Sequence, residues 1–108
     1  MNVNNLKIDV LVVDSHPIFR EGLKRVLEMD TDLRIVAEGE TGEQLLPLYK
    51  QYQPDAVLIE ANLPHQNGIE ALQELLVHFP FAKVLFLQWL MTFRLFRKPL
   101  KVGPLGIY

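Results

Sequence analysis

Four short apolar runs, each parted from the next by a helix-like stretch, constrain the fold of this chain most. Ile8-Asp9-Val10-Leu11-Val12-Val13 is β-branched and nearly continuous, the pattern of a strand buried on both faces. Leu33 to Ala37, Asp55 to Ile59 (after Pro54) and Lys83 to Leu87 read as the second, third and fourth strands. Asp14-Ser15-His16-Pro17 carries a helix-start signal, with Pro tolerated in the first turn. The helix it opens runs to about Met29, with Ile18, Phe19, Gly22, Leu23, Val26 and Leu27 on its apolar face. Thr41-Gly42-Glu43-Gln44 matches a capping box, and Pro47 predicts a kink or a delayed start in the helix behind it. Gly68 to Phe79, after the loop Asn62 to Asn67, places Ile69, Leu72, Leu75 and Leu76 on one helical face.

The order βαβαβαβ with short connections implies parallel strands and right-handed crossovers. Ligands of such sheets bind at the carboxyl ends of the strands, near the topological switch point. Asp14 follows the first strand and Glu60 ends the third, so both are expected in one crevice.

A chain of 108 residues supports one domain. It has no cysteine, which excludes disulfide scaffolds, thiol catalysis and Cys-based zinc sites. Met1 to Lys7 is polar, unlike a signal peptide, and the apolar stretch Val84 to Phe96 is broken by Gln88 and Arg94. The net charge of −2 hides a split. Thirteen acids against six Lys/Arg fall in residues 1–74, and five Lys/Arg with no acid in residues 75–108. A cytoplasmic α/β domain is the expectation.

Val12-Val13-Asp14-Ser15-His16-Pro17 followed by Arg20-Glu21-Gly22-Leu23 resembles the opening of bacterial response-regulator receiver domains, closest to the NarL/FixJ type. Pro54 to Pro64 and Asn67-Gly68-Ile69-Glu70 resemble that family's phosphorylation-site strand, loop and next helix. The similarity runs through Lys83 to Leu87, and Leu100-Lys101-Val102-Gly103 and Gly106 keep its register. It covers residues 7–108. It implies a flavodoxin-like (CheY-like) doubly wound parallel sheet of strand order 2-1-3-4-5. Leu105 to Tyr108 would start strand five, so most of that strand and helix five are expected to be missing. An exposed apolar surface, and with it self-association as a homodimer, is expected from that loss.

The resemblance also implies aspartyl phosphorylation by a histidine kinase with Mg²⁺, and this sequence departs from that pattern. Glu60 stands at the acceptor position. The acidic pair is Asp14-Ser15, so one carboxylate expected at the metal has become a hydroxyl. Gln88 occupies the switch-hydroxyl position, and the family's Lys position lies past Tyr108. Asn62 offers only its backbone carbonyl, within the loop that also holds Pro64 and leads to Gly68. No metal or cofactor is therefore expected, with Mg²⁺ required only if Glu60 is an active phosphoacceptor.

Plainer roles stand beside these. Asp14 would cap the first helix or bond loop amides, Glu60 would be a solvated carboxylate at a strand end, and His16 a loop residue positioned by Pro17. His65 and His78 have no partner at metal-ligand spacing, and no catalytic triad or phosphate loop is present. In the basic segment, Trp89, Phe93, Phe96 and Leu100 form an apolar stripe beside Arg94, Arg97, Lys98 and Lys101. It reads as the family's fourth helix with a solvated basic face, as a protein-contact face, or as a membrane-surface helix. No helix that would read DNA bases is recognisable. The leading expectation is a non-enzymatic, phosphorylation-independent interaction module of a two-component transcription regulator, partnered by a histidine kinase or an output domain. An active receiver using Glu60 and a membrane-surface module through residues 89–101 are the alternatives.

Overall fold

The computed structural model describes residues 7–87. Its elements follow the order β1 (Ile8–Val13), α1 (Pro17–Glu28), β2 (Leu33–Gly39), a 3-10 turn (Gly42–Gln44), α2 (Leu45–Tyr52), β3 (Ala56–Ile59), α3 (Gly68–His78) and β4 (Val84–Phe86). The four strands form one parallel sheet ordered β2-β1-β3-β4. This is the doubly wound order expected, as far as the described residues reach. The fifth-strand segment Leu105 to Tyr108 lies outside them.

Alternation along the strands divides the core between the two sheet faces. Leu11 and Val13 of β1 and Val57 and Ile59 of β3 pack with Leu45 of α2 and with Ala71 and Leu75 of α3. On the other face, Val10, Val12 and Leu58 pack with Leu87, against Phe19, Leu23 and Leu27 of α1. The central strand is buried from Val10 to Val13, as a doubly covered strand must be. The register between β1 and β2 slips once: Val10 pairs with Ile35 and Leu11 with Ala37, so Val36 is an extra residue on the edge strand.

Several local expectations are corrected. The second strand continues two residues past Ala37 to Gly39, because Glu38 and Gly39 still pair with Val12 and Val13. On α1, Ile18 is 89% exposed, Val26 is exposed and Gly22 faces open space, so only the Phe19, Leu23 and Leu27 part of the stripe packs. On α3, Ile69 is exposed while Ala71 and Leu75 form the buried face. Of the two effects expected of Pro47, a kink or a delayed start, the structure shows the delay: the 3-10 turn precedes α2, and Pro47 falls in the first turn of α2. Gln44 reaches back as a capping box requires, its Oε1 accepting from the amides of Thr41 at 3.1 Å and Glu40 at 2.6 Å.

Candidate functional site

β1 and β3 end side by side, and their carboxyl ends bring Asp14 and Glu60 together as the topology requires. Asp14 N donates to Gly39 O at 3.0 Å, and Glu60 N donates to Val13 O at 2.9 Å. These bonds carry the sheet ladder to the edge of the crevice.

The side chains interlock. Glu60 Oε2 accepts two hydrogen bonds from Ser15, one from its amide at 3.0 Å and one from its hydroxyl at 2.9 Å. Asp14 is 2% exposed, and its Oδ1 accepts from the amide of His16 at 2.6 Å. That bond spans two residues, an Asx-type turn that feeds the chain into Pro17 and α1. Asp14 thus bonds a loop amide, and the His16 side chain at the N-cap position makes no cap bond. The His16 ring instead leans over both carboxylates, with Nδ1 3.4 Å from Asp14 Oδ1 and 3.6 Å from Glu60 Oε1.

Two residues beyond the expected set complete the site. Read from the sequence as a loop residue, His16 is one of three groups whose ligand atoms all lie within 4.8 Å of one another, with Asp14 and Glu60. Its position directly between Asp14-Ser15 and Pro17 was the available signal. Arg20, one turn into α1, donates through Nη1 to the carbonyl of Asp14. The same guanidinium meets Glu38 at 2.9 Å and Glu40 at 3.2 Å, while Lys24 meets Glu38 at 2.8 Å. Burial works to raise the Glu38 carboxyl pKa, but the hydrogen bonds from Lys24 and Arg20 outweigh it and hold it below the ordinary carboxylate value. Hydrogen bonds from Glu38 and Glu21 hold the Lys24 ammonium pKa above its ordinary value.

Gly68 sets how closely α3 approaches the end of β3. Its amide donates to Ala61 O at 2.7 Å. A β-carbon there would overlap the carbonyl oxygen of Glu60 and lie 2.9 Å from the α-carbon of Ala61. Only glycine lets α3 start this close to the end of β3. Asn67 caps the helix, its side chain accepting from the amide of Glu70 at 2.8 Å. Asn62 and Pro64 are exposed in the intervening loop. Gln88, Trp89, Phe93, Arg94, Phe96, Arg97 and Lys101 lie outside the described residues.

Comparison with known proteins places this crevice in a family. The model of the response regulator receiver domain matches residues 10–103. The chain belongs to the response regulator receiver domain family. Among curated relatives, the transcriptional regulatory protein DegU of Brevibacillus brevis is 44% identical over 85 residues, covering 79% of this chain and 36% of that protein. The nitrate/nitrite response regulator NarL of Escherichia coli K12 is 38% identical over 66 residues, covering 61% of this chain and 31% of that protein. The chain spans roughly a third to a half of the length of the curated relatives it matches. A LuxR-family two-component response regulator from Aurantimonas superposes with a TM-score of 0.72 at 32% identity, over 74% of this chain and 57% of that one. The receiver domain of the response regulator NarL from Mycobacterium tuberculosis gives 0.68 at 31% identity, over 74% of this chain and 64% of that one. The receiver domain is thus of the NarL/DegU type, and its sheet order matches that fold. Among the described residues, no helix is long and apolar enough to cross a membrane.

Proposed function

We propose that this receiver domain, residues 7–108, works as a cytoplasmic protein-interaction module whose signal does not depend on phosphorylation of Glu60. One observation carries the reading: Glu60 Oε2 is tied back to the Ser15 amide and hydroxyl. Those two bonds fix the orientation of the carboxylate and leave Oε1 facing the His16 ring at 3.6 Å, and displacement of an attacking oxygen from the in-line position by about 1 Å can lower the rate on the order of 100-fold. The longer Glu side chain, folded towards β1, puts its oxygens elsewhere than an Asp on the same strand would.

The donor set supports the same reading. Mg²⁺ demands near-octahedral hard oxygen donors, commonly one or two carboxylates plus phosphate oxygens. Here Ser15 supplies a hydroxyl already committed to Glu60, and Asp14 Oδ1 is held by the His16 amide. The residues present do not fit the family's metal. The partners we favour are proteins: a histidine kinase, an output domain or a second copy of the chain, with no direct DNA contact by this chain.

Intact mass after incubation with acetyl phosphate and Mg²⁺ tests the reading. The expected result is no added phosphoryl group. A phosphoryl adduct that disappears in Glu60→Gln overturns it and makes Glu60 an active acceptor.

A further inference from the structure

Asn67-Gly68 is the only place in the sequence where asparagine precedes glycine. The side-chain amide of an asparagine is open to attack by the main-chain nitrogen of the next residue, and glycine there carries no side chain to obstruct the approach. The nitrogen bonds to Cγ and gives up its proton. The bond from Cγ to Nδ2 breaks, ammonia leaves, and a cyclic imide remains. Water then opens the ring. Cleavage between Cγ and the nitrogen gives aspartate; cleavage of the original peptide bond gives isoaspartate, linked through its side chain. By either route water is consumed and ammonia released.

The fold holds both reacting groups apart from this chemistry. The Gly68 N–H donates to Ala61 O at 2.7 Å, so the attacking nitrogen is engaged at the end of β3. Asn67 Oδ1 accepts from the Glu70 amide at 2.8 Å, which holds the carboxamide over the first turn of α3. The Asn67 carbonyl accepts from Ala71 N at 3.0 Å. Asn67 is exposed and Gly68 is buried, so water reaches the side chain but not the nitrogen that must attack it. Breaking these bonds means opening the first turn of α3, a local event that does not require global unfolding.

We propose that Asn67 is a site of hydrolytic deamidation, held latent by the first turn of α3 and released when that turn opens. Its two products diverge. Aspartate caps a helix as well as asparagine does, and its charge suits the positive end of the helix dipole. Isoaspartate adds a carbon to the main chain directly before Gly68, where even a β-carbon has no room beside the Glu60 carbonyl. The turn then cannot close in its original register, and α3 loses its close seating on β3. The change is irreversible and stands whether or not Glu60 accepts a phosphoryl group.

The experiment incubates the full 108-residue chain at mildly alkaline pH, folded in buffer and unfolded in guanidinium chloride, and follows amide-to-acid conversion by peptide mass mapping. Hydrogen exchange at the Gly68 amide is measured on the folded chain in parallel. The expected result in denaturant is conversion at Asn67, well ahead of Asn62, which precedes Leu63. In the folded chain, conversion at Asn67 slows at least about tenfold. It slows by no less than the protection of the Gly68 amide, because exchange and attack both require that N–H free. The isoaspartate fraction, separated by ion exchange, unfolds at a lower temperature than the parent, and the aspartate fraction does not. Asn67→Ser, which keeps a capping oxygen, shows no conversion at that position in either state. Equal rates at Asn67 in the folded and unfolded chain, no conversion there in denaturant, or an isoaspartate fraction as stable as the parent overturns the proposal.

Discussion

Alanine at Gly68 should destabilise the domain, whereas alanine at Gly22 should stabilise it, although both glycines lie in helices. Intrinsic propensity favours Ala over Gly by about 1 kcal/mol in a helix interior. Gly22 sits inside α1, and a β-carbon there meets nothing within 4 Å, so Gly22→Ala should gain most of that figure. Gly68 opens α3, where the propensity gain is smaller. Its added carbon would fall 2.9 Å from the α-carbon of Ala61 and overlap the carbonyl of Glu60. Carbon contacts relax to about 3.5–4.0 Å, so backbone must move by more than about 0.5 Å. Both obstructing atoms are main chain, which cannot swing aside as a side chain can. Overpacking of this kind costs about 1–3 kcal/mol, so the clash outweighs the propensity gain. With urea m-values of about 1–3 kcal/mol/M for small proteins, the Gly68→Ala midpoint should fall by about 1 M and the Gly22→Ala midpoint should rise. Equal shifts of one sign in both variants would refute the claim that close approach, not helix propensity, decides position 68.

Two further outcomes follow from the α1–β2 contacts. Because the Glu38 carboxyl is held below its ordinary value, the unfolded chain takes up its proton first as acid is added. The stability it contributes is present above the unfolded carboxylate value and is lost as pH falls through the lower folded one; Glu38→Gln should flatten thermal stability against pH across that acid window and leave the neutral-to-basic range parallel to the parent. Arg20→Ala removes the donor to the Asp14 carbonyl and should cost about 1.5–3 kcal/mol, the range for hydrogen bonds to charged groups; hydrogen exchange at the amides of Ser15 and His16 should accelerate, and unchanged exchange there would count against Arg20 as the anchor of that loop.

Much of this architecture was readable from periodicity. The four apolar runs and their intervening amphipathic stretches gave the parallel order, and that order alone brought Asp14 and Glu60 to one crevice. Periodicity marks a stripe, however, and not how much of the stripe finds a partner. Ile18 and Ile69 fit their stripes by spacing and are nonetheless exposed, while Phe19, beside Ile18 in the same first turn, packs on the sheet. The place of His16 was hidden for a different reason. A ring beside a turn is aimed by backbone dihedrals, and those came from the Asp14 side chain bonding the His16 amide ahead of Pro17. No residue-type pattern encodes that angle. Gln88 and the basic segment through Lys101 lie outside the described residues, and their roles rest on the family resemblance.

The extra residue at Val36 has a reach far beyond its own strand. Ile35 packs on the α1 side of the sheet, and Ala37, two residues on, packs on the opposite side. A strand of plain two-residue alternation would have kept both together and turned Glu38 towards the apolar contacts of α2 and α3. The inserted residue reverses the parity, so the carboxylate emerges where Arg20 and Lys24 stand. Arg20, held from that side, grips the carbonyl of Asp14. An edge-strand insertion therefore sets the phase of a relay that runs from β2 through α1 to the mouth of the crevice.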